Sequence, residues 1–199
     1  MDSMIILRLV EWMGLNEKME YQQLKTKFGT VIIKDAEEPE LNELVNICKS
    51  VFTRHNIFQK EFEKVLEYKK EIHKRHSDVG GGFIVAKIED KVIGGVLLKR
   101  VSEDLKGKHI VWRLNHLAVS EEYSGEGIGS GLVNAAEQKI KDLINEEKMN
   151  TAKIELGVSE NEKDAVEFYN KLGFEVEGEL KSHYRHGELV YVLGKEILK

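Results

Sequence analysis

LAVSEEYSGEGIGSGL, residues 117–132, is the stretch whose reading decides the fold. An apolar strand end, Leu117-Ala118-Val119, runs into a turn in which Gly125, Gly127, Gly129 and Gly131 alternate with Glu126, Ile128 and Ser130. From about Gly127 to Glu147, Ile128, Leu132, Val133, Ala136, Ile140 and Leu143 recur at helical spacing. Glycine lets a backbone approach a ligand closely. A helix start adds unpaired N–H donors and a positive partial charge, so the turn suits a phosphate or pyrophosphate. It is not a dinucleotide fingerprint: counted from Gly125 the third glycine position holds Ser130, and counted from Gly127 it holds Leu132. It is not a Walker loop either, because Gly-Lys-Ser/Thr is missing. Alone, the segment reads equally as an anion site or as a glycine-rich turn without a ligand.

Working outward, the pattern gives a strand at Lys108–Ser120, a hairpin of Phe83–Glu89 with Lys91–Val101 across Asp90-Lys91, and a strand at Thr30–Lys34. Asp35 is a helix N-cap candidate ahead of Leu41, Leu44, Val45, Cys48, Val51 and Phe52 at helical spacing. A second helix is expected over Gln59–His76. Downstream come a strand at Thr151–Ser159, a helix at Asp164–Leu172 stopped by Gly173, and strands at Phe174–Tyr184 and Glu188–Ile197. The order β α α β β β α β α β β predicts an α/β (α+β) fold, a mixed central sheet of about six to seven strands with helices on its faces. Met1 to Lys27 reads as a helix, making residues 1–28 an N-terminal helical extension and 29–199 the main domain.

Composition narrows the function. Lys plus Arg is 30 against 35 Asp plus Glu, a formal charge of −5 with no basic block, which argues against nucleic acid and anionic membranes as partners. No apolar run approaches the ~18 residues of a membrane span. Cys48 is the single cysteine, so no internal disulfide and no cysteine-based zinc site is expected, and a reducing, cytoplasmic location fits. Its place on the apolar side of a helix makes it a small core residue. A metal site at His73 and His76 would need acidic or further histidine partners, so these read as part of a solvated helix and no metal is expected. His183 and His186 flank the last turn.

The second informative segment is SENEKDAVEFYNKLGF, residues 159–174. Ala165, Phe168, Tyr169 and Leu172 share a helix face, and Gly173 stands where a left-handed cap belongs. Taken alone, Tyr169 is a core tyrosine. Together the two segments resemble the GNAT superfamily of acyl-CoA-dependent N-acyltransferases. One family hallmark, Gln/Arg-x-x-Gly-x-Gly/Ala after an apolar strand end, falls on Ser124-Gly125-Glu126-Gly127-Ile128-Gly129. The other falls on Asn161, Ala165 and Phe168-Tyr169-Asn170-Lys171-Leu172-Gly173-Phe174.

The resemblance implies a sheet splayed between Trp112–Val119 and Lys153–Ser159, with acetyl-CoA as co-substrate in the gap. Leu117, Ala118 and Val119 would contact pantetheine and the acetyl group. The amides of Gly125, Glu126, Gly127, Ile128, Gly129 and Ser130 would hold the pyrophosphate, with Asn161 and Ala165 on the other wall. Tyr169 would protonate the leaving thiolate. The implied activity is acetyl transfer to a primary amine of a small molecule or peptide, by direct attack in a ternary complex. The alternative is an acyl-CoA-sensing domain without catalysis; a homodimer is compatible with either.

Three departures stand out. Ser124 replaces the usual Gln or Arg. Asn161 lies one residue further from Tyr169 than in many members. No general base is evident: strand alternation puts Arg113, Asn115, Leu117 and Val119 on one face and Trp112, Leu114, His116 and Ala118 on the other. His116 then faces away from the acceptor, and Glu155 and a water relay remain as alternatives.

Overall fold

A computed structural model describes residues 20–199. Its strands are β1 (Glu20–Thr26), β2 (Gly29–Asp35), β3 (Gly82–Ile88), β4 (Lys91–Asp104), β5 (His109–Val119), β6 (Thr151–Ser159), β7 (Glu175–Lys181) and β8 (Leu189–Leu198). The helices are α1 (Leu41–Val51), α2 (Phe62–Ser77), α3 (Ile128–Glu146) and α4 (Lys163–Lys171). All eight strands form one sheet in the order β1-β2-β3-β4-β5-β6-β8-β7. Every neighbouring pair is antiparallel except β5–β6, which α3 joins as a crossover.

The sheet exceeds the expected six to seven strands because residues 20–26 form an edge strand rather than the end of a helix. Leu24 pairs with Val31 and Lys25 with Thr30 across a tight turn at Lys27-Phe28. A boundary at residue 28 therefore cuts a hairpin, and the helical reading of residues 1–19 lies outside the described residues. Asp35 also departs from its expected role. It ends β2 and accepts hydrogen bonds from Tyr21 Oη (2.9 Å) and Lys139 Nζ (2.6 Å). The N-terminus of α1 is set instead by a 3-10 turn at Glu38–Glu40, with the Glu37 N–H donating to the Glu40 carboxylate (2.7 Å).

The helices cover both faces. On one, Ile128, Leu132, Val133, Ala136, Ile140 and Ile144 of α3 pack with Val31, Ile33, Trp112 and Ile154, and α4 adds Tyr169. On the other, Leu41, Leu44, Val45 and Cys48 of α1 and Val65 and Ile72 of α2 pack with Phe83, Val85 and Leu97. Cys48 is fully buried, the core position expected of it. Each buried Leu, Ile or Val stabilises the fold by ~1.5–3 kcal/mol, so the helical stripes fix both layers. α3 comes especially close: a Cβ on Gly131 would lie 2.6 Å from Ile33 Cδ1 and 2.7 Å from Leu24 Cδ1.

Candidate active site

The site begins where two strands part. The β5–β6 ladder runs from His109–Thr151 to Arg113–Glu155 and stops, while β5 continues to Val119 and β6 to Ser159. The gap opens later along each strand than the motif boundaries suggest. Beyond it, the edges of Leu114–Val119 and Leu156–Ser159 that face each other carry no ladder. Backbone groups there need partners from elsewhere.

A bulge in β5 changes which side chains face the gap. Leu97 pairs with Asn115 but Gly95 with Ala118, so β5 uses one more residue than β4 between these rungs. His116 absorbs it with φ of 55°. Strict alternation therefore fails here. Leu114 packs on the α3 side with Leu117 and Val119, whereas Ala118 is buried on the α1–α2 side. His116 lies on Ala118's face, where alternation also put it; Leu114 is the residue that leaves that expected group. Its ring centroid lies 5.0 Å from that of Phe58, 5.7 Å from His55 and 6.2 Å from Tyr68. Burial, then the charge of Lys69, push His116 down to about 2, so it is neutral at any working pH. Glu155 is engaged too: Arg113 Nε donates to it at 2.8 Å.

At the top of β5 the glycine turn opens α3. Gly125 (φ 80°) and Gly127 (φ 78°) adopt left-handed backbone, and nothing lies within 4 Å of where a Cβ on either would sit. No side chain caps α3. Among the described residues, the N–H groups from Gly125 to Ser130 have no hydrogen-bond acceptor; the first to find one is Gly131, bonded to the Gly127 carbonyl (2.9 Å). Ser124 is in extended backbone just before this run. The Glu126 carboxylate pairs with Lys27 (2.9 Å).

The opposite wall comes from β6 and α4. Gly173 (φ 84°) ends α4, and the Phe174 N–H reaches back to the Tyr169 carbonyl (3.1 Å), so the ring of Phe174 packs 5.5 Å from that of Tyr169. Tyr169 is 8% exposed. Burial, then the charge of Glu162, hold its hydroxyl above the usual tyrosine range. Ala165 faces the α3-side core, and a cleft of ≈ 430 Å³ is lined by Glu160, Asn161, Glu162, Asp164 and Ala165. The Asn161 amide turns inward, donating to Ser159 Oγ and Glu188 Oε1 at 3.3 Å each.

Several residues of this region have no signal in the sequence. Glu188, 7% exposed, accepts from Ser159 Oγ and from Arg185 Nη1 (2.8 Å), and Arg185 donates onward to the carbonyl of Arg54 between α1 and α2. Tyr184 Oη lies 2.8 Å from where a Cβ on Gly157 would be, so it covers the face of β6 next to the gap. Burial raises the Glu162 carboxyl above the ordinary range, and Arg185 and Arg54 only partly offset this. These residues converge through contacts spanning up to 131 positions, which no periodicity or motif encodes.

The family model described as "Acetyltransferase (GNAT) family" matches residues 41–174. The N-alpha-acetyltransferase of Sulfurisphaera tokodaii is 24% identical over 184 residues, covering 88% of this chain and 98% of the relative. The N-alpha-acetyltransferase of Saccharolobus solfataricus is 23% identical, covering 87% and 97%. Among solved structures, Ard1 from Thermoplasma volcanium superposes with a TM-score of 0.65 at 20% identity, over 85% of this chain and 99% of that one. Arabidopsis thaliana Naa50, in complex with the bisubstrate analogue CoA-Ac-MVNAL, gives 0.61 at 22% identity, over 83% and 97%. These structures share the overall fold, and the family match covers both walls of the gap. The chain belongs to the GNAT family of acetyltransferases.

Proposed function

We propose that this chain moves an acetyl group from acetyl-CoA to the α-amine of a peptide chain end. The observation that carries the cofactor half is the run of unpartnered N–H groups from Gly125 to Ser130, beside open space at Gly125 and Gly127 and next to strand edges without a ladder. A diphosphate fits the first feature, and an extended arm with amide groups fits the second. The acceptor half is supported by the relatives in Sulfurisphaera and Saccharolobus, both N-alpha-acetyltransferases.

Acetyl-CoA supplies an activated acyl group, a thioester with a thiolate leaving group. The chain's own residues do the rest. The amides of Gly125–Ser130 bind and fix the ligand's anionic end. The exposed backbone of Leu117–Val119 aligns the reacting carbonyl in the gap. Tyr169, kept protonated by burial, gives its hydroxyl proton to the departing sulfur. The attacking nitrogen must lose a proton, and neither His116 nor Glu155 suits that task, the one neutral and too weakly basic, the other paired with Arg113. Glu162 lines the cleft, its charge acts on Tyr169, and its raised carboxyl is a better acceptor than an ordinary glutamate.

Calorimetric titration of acetyl-CoA against wild type and Gly127→Asp tests the cofactor half. Micromolar binding that Asp abolishes supports it, and failure of folded wild type to bind rejects it. Mass spectrometry of short peptides with free and blocked N-termini then tests the acceptor; acetylation of a lysine in the blocked peptide alone would overturn the α-amine assignment. Tyr169→Phe separates transfer from binding.

A further inference from the structure

The glycine turn is an anion site built among acids. Glu121 and Glu122 precede it and Glu126 lies inside it, while Ser124 stands where the family signature has Gln or Arg. A ligand bearing phosphates meets repulsion here that free amides alone must overcome. Lysines distant in sequence answer the acids. Lys91, at the start of β4, sits 3.5 Å from Glu122 Oε2 and donates to Tyr123 Oη at 3.2 Å. Lys27, in the β1–β2 turn, places its Nζ 2.9 Å from Glu126 Oε1 and holds that carboxyl below its usual range.

The two lysines differ in position. Glu122, the partner of Lys91, lies on the 3-10 turn before the glycines, whereas Glu126, the partner of Lys27, sits within the run of unpartnered N–H groups. The hairpin that carries Lys27 is fixed in place. Phe28 meets the ring of Tyr123 edge-on at 4.8 Å, and Leu24 of β1 packs at Gly131 of α3. The side chain itself stays 66% exposed, so its ammonium can turn from the carboxylate toward a ligand without breaking the core. A lysine is a compact charge with three donors, able to serve a carboxylate and a phosphate oxygen together.

We infer that Lys27 is the cation of the diphosphate site, reaching from the β1–β2 turn to make the charged contact that Ser124 does not. The inference rests on the acyl-CoA reading above. It also gives β1, an edge strand outside the family match at residues 41–174, a part in ligand binding.

Calorimetry at low ionic strength tests it, with coenzyme A and 3′-dephospho-coenzyme A against wild type, Lys27→Ala, Lys27→Arg, Glu126→Gln, the Lys27→Ala/Glu126→Gln double variant, and Lys91→Ala as control. Lys27→Ala should weaken both ligands about threefold to fivefold, the size of one exposed charge pair. Lys27→Arg should restore most of the loss, and Lys91→Ala should change little. The loss should persist when Glu126 is already Gln and shrink as salt rises. A loss that vanishes in the Glu126→Gln background means Lys27 only screens the carboxylate, and overturns the inference. So does a loss seen with coenzyme A and absent with the dephospho form, which assigns Lys27 to the 3′-phosphate. Wild type that binds normally with Lys27→Ala unchanged rejects this inference alone; wild type that binds neither ligand rejects the acyl-CoA reading with it.

Discussion

Lys69→Met should make the protein more stable. Lys69 of α2 is fully buried, with its Nζ 4.4 Å from the ring centroid of Phe83 and 5.1 Å from that of Phe58. Among the described residues the Nζ has no hydrogen-bond partner. Burial pulls its pKa below the usual lysine range, opposed only in part by the neighbouring Cys48 thiol, which burial itself pushes up toward the neutral form. If the amine is charged, taking it out of water costs several kcal/mol, against about 2 kcal/mol from the aromatic faces. If it is neutral, an orphaned buried donor costs ~1–3 kcal/mol. Either way the amine is a net loss, and methionine keeps the stem and the aromatic contacts without it. The expected gain is ~1–3 kcal/mol at pH 7, worth roughly 2–4 °C in Tm per kcal/mol for a domain of this size. The pH dependence has a definite sign. A folded pKa below the unfolded value of about 10.4 means the unfolded chain binds more protons, so wild type gains stability as pH rises toward that value. The advantage of Lys69→Met must therefore narrow between pH 7 and pH 9.5. Urea denaturation of both proteins at the two pH values is the assay, with Lys69→Ala, which leaves a cavity, expected to fall below wild type. A methionine variant less stable than wild type by about 1 kcal/mol, or a gap that widens with pH, would refute the reasoning.

Other outcomes follow from the same geometry. Tyr169→Phe removes no hydrogen bond seen among the described residues, so stability should hold while kcat falls about 10²-fold with the KM for acetyl-CoA unchanged, read by steady-state kinetics. Glu162→Gln should lower kcat and remove the acid limb of the pH–rate profile, since the raised Glu162 carboxyl must be ionised to accept a proton; an unchanged limb excludes it as base. His116, held near 2 when folded and titrating at about 6.5 when unfolded, makes the protein lose stability as pH falls below 6.5; His116→Gln should flatten denaturation midpoints between pH 6.5 and 5. Gly157→Ala should displace Tyr184 and raise the acceptor KM more than the acetyl-CoA KM, because its Cβ would lie 2.8 Å from Tyr184 Oη.

The residues around the glycine turn and α4 carry their own instructions. Gly125 and Gly127 take left-handed backbone, α3 spans Ile128–Glu146 against an expected Gly127–Glu147, and Gly173 caps α4. Helical period, turn chemistry and capping act within a few residues, so a window of sequence contains them. β1 escaped that reading because EYQQLKT has no clean alternation, and its strand conformation depends on the partner edge offered by β2. Leu114 shares a face with Leu117 rather than with His116 because β4 and β5 pair with unequal numbers of residues, a property of the ladder that neither strand shows alone. Lys27 with Glu126, and Ser159 and Arg185 with Glu188, meet only when the sheet and its crossover are assembled. The sequence by itself determined most of the elements and the glycine turn, because those depend on neighbours along the chain. Tertiary structure decided which side chains line the gap and which charges meet there, because those depend on strand register and on contacts between distant segments.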